Sequence, residues 1–404
     1  MPVLDGIKVI EVASWVFAPS SGVVLAQWGA DVVKVEDPAS GDPTRGLVHS
    51  GGPGQNSGGV RLMYEIANLG KRSIGLNLKS PEGIGVLYRL VETADVFVTN
   101  YLPRTRASLR IDVEDIRRVN PRIIYCRGSG TGSQGPERER PGFDSTSYWA
   151  RAGIQSVLSA GVSDWPLIQR GAFGDIMAGL TLAGSISAAL YQRERTGQPS
   201  VVDVSLLATG LWNLTPDIVL ADLLGPDYNA ARTRDTIPNP LVCTYRTSDG
   251  QWLVLNMLDS DRTWGEFCRA IERPDLFEDP RFAHSSVRGV NSQALIAELD
   301  AAFATQSFQT WRERLSATSI AWAPVQSPSD AHHDQQVAAN GYIARVETGD
   351  GQTIGVPTNP VRFDEQTVTP GRSPEHGEHT EQILIEAGYD WDAITELKAN
   401  KAVM

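Results

Sequence analysis

Asp175 offers the clearest opening for chemistry in this chain. It follows a glycine in Arg170-Gly-Ala-Phe-Gly-Asp175, at the point where a long run of small and apolar residues begins. A carboxylate there lies at the positive end of a helix, so it is expected to stay ionised and to face whatever approaches the turn. An ordinary N-cap produces the same pattern, because Asp is among the residues preferred at that position, and the residue alone leaves both roles open. Gly130-Thr-Gly-Ser-Gln-Gly135 fits G-x-G-x-x-G. Pro136 and Pro141 flank Glu137-Arg-Glu-Arg140, however, and deny it the uninterrupted helix that a dinucleotide fingerprint requires. The histidines, among them His332, His333, His376 and His379, fall into no zinc spacing, and there is no G-x-S-x-G elbow, P-loop or Cys-x-x-Cys. No metal is expected. Lys71, Arg72, Lys79, Arg104, Arg106 and Arg110 crowd into forty residues of an otherwise acidic chain, which reads either as solvated helix faces or as a phosphate contact.

The elements that must position these groups alternate. Lys8–Val12 is a short β-rich run, Pro19 opens a helix that stops at Gly29, and Asp31–Glu36 is a second strand. Strands follow around 73–78, 95–98, 122–127 and 200–205, with Ser80 and Pro81 as the N-cap and first residue of a helix reaching about Thr93. Such alternation predicts an α/β fold with a doubly wound parallel sheet, whose ligands gather beyond the carboxyl ends of the strands. A long helix runs from Ile176 to Arg195 with Gly197 as its stop, and Gly179 and Gly184 within it suggest another backbone packed closely there. A further helix spans Leu206–Leu224. Gly225-Pro226 then breaks the chain, and a hairpin around 243–256 and three helices form a smaller α+β part that ends near Pro324. The expected division is 1–224, 225–325 and 326–404. The glycine-rich stretch 50–59 reads equally as a flap or a plain linker.

Composition sets outer limits. A 404-residue chain with 41% hydrophobic and 21% charged residues is expected to hold two or three soluble domains. A net charge of −12 argues against nucleic acid or an anionic membrane as the main partner. Cys126, Cys243 and Cys268 are odd in number and far apart, which predicts no disulfide framework. With no signal peptide at Met1-Pro-Val-Leu-Asp5 and no membrane-length apolar run, a cytoplasmic location is expected.

Short motifs stand in one order along the chain: Leu4-Asp-Gly-Ile7, Trp28-Gly-Ala-Asp-Val-Val-Lys-Val-Glu36, Gly41-Asp-Pro-Thr-Arg45, Lys71-Arg-Ser-Ile74, Asp95-Val-Phe-Val-Thr-Asn100, Phe173-Gly-Asp175, Arg195-Thr-Gly-Gln198, Asp249-Gly-Gln-Trp252, Asp279-Pro-Arg-Phe282 and Gly377-Glu-His-Thr380. In that order and spacing the chain resembles the class III CoA-transferases, which include formyl-CoA and carnitine CoA-transferases and the α-methylacyl-CoA racemases. The resemblance implies a Rossmann-like large domain built from both chain ends, a small α+β domain from the middle, and an interlocked homodimer. It implies that Asp175 is the nucleophile, that an acyl-CoA donor and a carboxylic acid acceptor are the partners, and that coenzyme A enters as a thioester substrate with no permanently bound cofactor. By motif position, Val16, Phe17, Leu76, Asn77, Lys79, Asn100, Tyr101, Leu102 and Asp144 would meet CoA, with Lys79 on phosphate. Gly174 would leave the backbone open beside the reacting atoms, and N–H groups of the helix start would steady an oxyanion.

The chain departs from the family at Asp37 and Ser108, where basic residues are common, so Arg104, Arg106 or Arg110 is expected to substitute. Racemases of the family carry a histidine where this chain has Phe143, which cannot carry a proton. Transfer of CoA is therefore the expected activity, with racemisation and non-catalytic CoA binding as the alternatives. Trp15 and Phe17 suggest apolar walls and a medium-sized or aromatic acceptor acid.

Overall fold

The computed structural model describes residues 2–49, 59–349 and 351–404. The glycine-rich stretch 50–59 therefore lies, Gly59 apart, outside the described residues. By contacts the chain divides into two compact units, one of Met1–Leu158, Pro166–Tyr228 and Gln335–Met404, the other of Ser159–Trp165 and Asn229–Asp334.

In the first unit, β1 (Lys8–Val12), α1 (Phe17–Gln27), β2 (Asp31–Glu36), α2 (Leu62–Asn68), β3 (Arg72–Gly75), α3 (Pro81–Val91), β4 (Val96–Thr99), α4 (Pro103–Leu109), α5 (Val113–Val119) and β5 (Ile124–Ser129) follow in turn. After α6 (Ile154–Ser159) come α7 (Phe173–Thr196), β6 (Val201–Ser205), α8 (Leu206–Asn213) and α9 (Thr215–Leu224). The six strands are all parallel, in the order β3-β2-β1-β4-β5-β6. Alternating side chains feed two cores. Ile10, Val12, Val33, Val35, Phe97 and Tyr125 pack against α3 and α5, while Val9, Val32, Val96, Val98, Ile124 and Cys126 pack against α1 and α7. Burial on both faces explains why these strands read as nearly continuous apolar runs.

Local signals place the helix ends. Ser80 Oγ accepts the Gly83 N–H at 3.0 Å with Pro81 behind it, and Gly197 closes α7 at φ 71°. A Cβ on Gly179 would sit 2.9 Å from the Phe17 carbonyl oxygen, so this glycine admits α1 against α7 as expected. Gly184 meets nothing within 4 Å of its added Cβ, and the expected backbone neighbour is not found among the described residues. The helix expected over Leu206–Leu224 is two helices, because Pro216 starts a new one after Leu214.

The second unit holds β7 (Thr244–Arg246), β8 (Trp252–Leu255), α10 (Ser260–Ala270), α11 (Asp275–Glu278), α12 (Ser285–Val290), α13 (Ser292–Phe303), α14 (Phe308–Ser316) and β9 (Trp322–Pro324). Its antiparallel sheet runs β7-β8-β9, with β9 beyond what the hairpin signal announced. Trp264, Phe267, Phe303 and Trp311 fill its own core.

The chain then returns to the first unit with α15 (Gln335–Asn340), the hairpin β10 (Ile343–Glu347) and β11 (Thr353–Pro357), α16 (Thr380–Glu386) and α17 (Trp391–Ala399). Ile383, Leu384 and Ile394 join the core beneath α3, and Val403 forms an antiparallel bridge with Leu76.

Candidate active site

The chain leaves β1 towards β2 on one side, while its neighbour β4 leads to β5 on the other, so a crevice opens where the strand order reverses. A cavity of about 650 Å³ lies there. Ser14, Trp15 and Phe17 line it from beyond β1, Asn100, Tyr101 and Leu102 from beyond β4, Gly128 to Gly130 from the end of β5, and Asp175 from the first turn of α7.

Hydrogen bonds lock the two loops together. The Ser14 N–H donates to Asn100 Oδ1 at 3.1 Å, and Asn100 Nδ2 donates to the Ser14 carbonyl at 2.7 Å. Beneath them lies a buried charge cluster. Lys34 Nζ bonds Asp42 at 2.8 Å and the Ala13 carbonyl at 3.0 Å, and Lys71 Nζ bonds Glu11 at 2.8 Å, with all four charged groups buried. Burial opposes the Lys34 charge, but Asp42, Glu11 and Glu36 outweigh it and raise its pKa, whereas burial wins at Lys71 and brings it down to about 8. Glu36 is held at about 2: burial pushes it up, but the bond from Arg45 and the charge of Lys34 prevail.

Asp175 is the third residue of α7, which begins after Ala172 in a left-handed conformation at φ 62°. It is not the N-cap. The Gly174 N–H instead donates to Asp144 Oδ1 at 2.9 Å, from a π-helical turn over Asp144–Arg151. Asp144 also draws support from the Phe173 and Asp175 N–H groups, so the helix start holds a carboxylate and is not free for an oxyanion, contrary to expectation. Gly174 likewise serves a different purpose: a Cβ there would overlap the Tyr148 ring and Asp144 Oδ1. The expected permanent ionisation of Asp175 fails as well. Burial first, and the neighbouring Asp144 charge second, push its pKa up to about 7. Asp144 too is raised, by burial, against the N–H groups it accepts.

Of the residues singled out from sequence, Phe17, Asn100, Tyr101, Leu102, Arg106 and Asp175 line the cavity together. Val16 packs in the interior with Ala67 and Ala172, and Leu76 is a core side chain, so neither presents its side chain to a ligand. Asn77 and Lys79 lie beyond β3, outside this cavity, where Lys79 faces Asp37. Asp144 sits behind Asp175 as the cap of α7. Among the three arginines offered as substitutes only Arg106 reaches the cavity, and its guanidinium is bonded to Asp112 at 3.2 Å and to the Tyr101 carbonyl at 2.7 Å.

Sequence reasoning missed the other wall. Gly130, Gly132, Ser133 and Gln134, from the stretch set aside as a false fingerprint, line the cavity with Arg138, and Arg127 grips Asp203 through two 2.7 Å bonds beside them. Their position directly after a strand in a parallel sheet was the available signal. Among the described residues Arg138 has no side-chain partner.

Comparison with known proteins agrees with this architecture. The model of the family described as CoA-transferase family III matches residues 4–380. An (R)-2-hydroxy-4-methylpentanoate CoA-transferase of Clostridioides difficile is 32% identical over 99% of both chains. A cinnamoyl-CoA:phenyllactate CoA-transferase of Clostridium sporogenes is 30% identical over 99% of this chain and 97% of that one, and the human succinyl-CoA:glutarate CoA-transferase is 29% identical over 98% and 88%. Among solved structures, Rv3272 of Mycobacterium tuberculosis superposes with a TM-score of 0.80 at 28% identity, covering 95% of this chain and 99% of that one. A CAIB/BAIF family protein from Brucella suis gives 0.79 at 28% identity, with the same coverage.

Proposed function

The chain belongs to CoA-transferase family III, and from that membership we propose that it moves coenzyme A from an acyl-CoA thioester to a free carboxylic acid with Asp175 as nucleophile. One observation carries the assignment to Asp175. Three carboxylates line the cavity, and Asp112 and Asp203 are bonded to Arg106 and Arg127, whereas Asp175 has no cationic partner among the described residues.

The steps follow from the carboxylate. An Asp175 oxygen attacks the thioester carbonyl and expels CoA thiolate, leaving a mixed anhydride. The thiolate attacks the aspartyl carbonyl of the anhydride, which releases the donor acid and leaves an aspartyl-CoA thioester. An acceptor carboxylate attacks that thioester, thiolate departs again, and its return to the acceptor's acyl carbon frees Asp175 and the new acyl-CoA. A carboxyl group with a pKa near 7 is a stronger base than an ordinary aspartate, and desolvation leaves fewer waters to compete for the anhydride. Arg138, an exposed cation of the cavity lining with no side-chain partner among the described residues, is available for the anionic parts of CoA.

Racemisation finds less support, since Phe143 carries no proton and Asp144 is bound to the Gly174 N–H. The test is direct. Incubation with an acyl-CoA and hydroxylamine is expected to leave a hydroxamate on the peptide bearing Asp175, and Asp175→Ala is expected to abolish exchange. Undiminished exchange by that variant would sink the proposal, and α-deuterium uptake from heavy water without modification would favour the racemase.

We also propose that the working form is the interlocked homodimer. Helix α9 buries none of its residues, and Ile176, Met177, Trp212, Ile218 and Leu223 on α7, α8 and α9 are exposed apolar side chains that a second copy would cover.

A further inference from the structure

Trp15 stands in a backbone conformation that bulky residues rarely adopt, at φ 70°. Such strain persists only where the surroundings enforce it. Here the Asn100 clamp holds Ser14 on one side, and on the other the Trp15 N–H points to Asp42 Oδ1 at 3.4 Å while Lys34 anchors both Asp42 and the Ala13 carbonyl. A buried ion pair and a two-bond amide clamp thus fix one indole at the cavity wall. Phe143, from the opposite loop, meets it edge to face with ring centroids 5.3 Å apart at 89°. Both rings line the same cavity as Asp175, and 37% of Trp15 and 47% of Phe143 remain exposed.

The charges around Asp175 complement the rings. Of the three cations that line the cavity, Arg106 is held by Asp112 and Arg127 by Asp203, and Arg138 alone lacks an acidic partner among the described residues. The Asp175 carboxylate is opposed by burial and by Asp144, with no cation to offset either. A second substrate carboxylate placed beside it would be a third negative group in a desolvated site.

From this geometry, and resting on the transferase reading above, we infer that Trp15 and Phe143 select the acyl group, admitting monocarboxylic acids with an apolar or aromatic chain and disfavouring dicarboxylic acids. The rings offer a flat apolar edge for a chain of several carbons to cover, and the Asp175 and Asp144 charges repel a distal carboxylate. Lys34 acts at one remove, as a positioning residue for the Trp15 turn.

Binding of non-acylating analogues of the 3-phenylpropanoyl-, hexanoyl- and succinyl-CoA esters, with a methylene inserted between sulfur and carbonyl, to the wild-type protein, which keeps the Asp175 charge but cannot displace the thiol, tests this by calorimetry. The two apolar analogues are expected to bind at least about tenfold more tightly than the succinyl analogue. Adding Phe143→Ala, whose half-exposed side chain is easily spared by the fold, is expected to shrink that ratio several-fold, and Trp15→Ala to do the same. Equal or tighter binding of the succinyl analogue, with Arg138 then holding the distal carboxylate, overturns the inference, as does a ratio that neither truncation alters. Exchange and hydroxylamine trapping in the wild-type protein report separately on the transferase reading, which can fail while the binding preference stands.

Discussion

Asp175 and Asp144 meet at one helix start, and only Asp144 takes its N–H groups. That asymmetry leaves Asp175 half-buried beside a like charge with no cationic partner among the described residues, and desolvation first and Asp144 second raise its pKa to about 7. Nucleophilic attack needs the ionised form, so kcat/KM is expected to climb with pH through about 7 and then level off. Asp144→Asn removes the repelling charge, and its acid limb in a kcat/KM profile is expected to shift to lower pH while burial keeps it above the ordinary aspartate value. Stability carries the opposite sign. Because the folded pKa lies above the ordinary 3.8, the folded state holds its proton more tightly, and stability falls as pH rises from about 4 to 7. Melting curves of Asp175→Asn are therefore expected to show a larger gain over wild type at pH 8 than at pH 4. The place of Asp175 in the first turn of a long helix was legible in its setting after Gly174, but its protonation was not. That depends on Asp144, thirty-one residues earlier, taking the helix end.

Among the elements, α7 is the one on which the site is built, and two glycines set how close its neighbours come. A side chain on Gly174 would strike the Tyr148 ring, and one on Gly179 would strike α1. Gly174→Ala and Gly179→Ala are each expected to lower stability by about 1–3 kcal/mol through overpacking, the former with loss of exchange as the first turn shifts. Gly85 on α3 meets nothing within 4 Å, and Gly85→Ala is expected to stabilise by about 1 kcal/mol through helix propensity. Thermal melts of the three variants distinguish packing from propensity. Gly179 was read from sequence as a sign of close packing because glycine is costly within a helix. The same rule finds no neighbour at Gly184 among the described residues.

At the scale of the whole molecule, Glu11, Lys34, Asp42 and Lys71 bring charges from four separate segments into one dry cluster under the cavity. Removing one partner strands another, so Lys71→Met is expected to destabilise by about 3–5 kcal/mol in chemical denaturation, with partial recovery when Glu11→Gln accompanies it. The exposed apolar side chains of α8 and α9 make a second whole-molecule prediction. Light scattering is expected to give twice the chain mass for the wild-type protein, and a charged replacement of Trp212 or Leu223 to lower it. An unchanged monomer mass in the wild type would remove the homodimer proposal.

Local physics is what the sequence alone determined here: the Val- and Ile-rich parallel strands, the Ser80 cap, the Gly197 stop, and a carboxylate at the first turn of a long apolar helix. Each depends on neighbours within a few residues, where propensity and capping act. Tertiary structure alone decided the rest. It brought the loops after β1, β4 and β5 to one crevice, buried Lys34 and Lys71, turned the Trp15 ring towards Phe143, and gave the helix start to Asp144 instead of Asp175. Those outcomes depend on which distant groups share one poorly hydrated space, and burial and Coulomb interaction there follow separation in space, not separation along the chain.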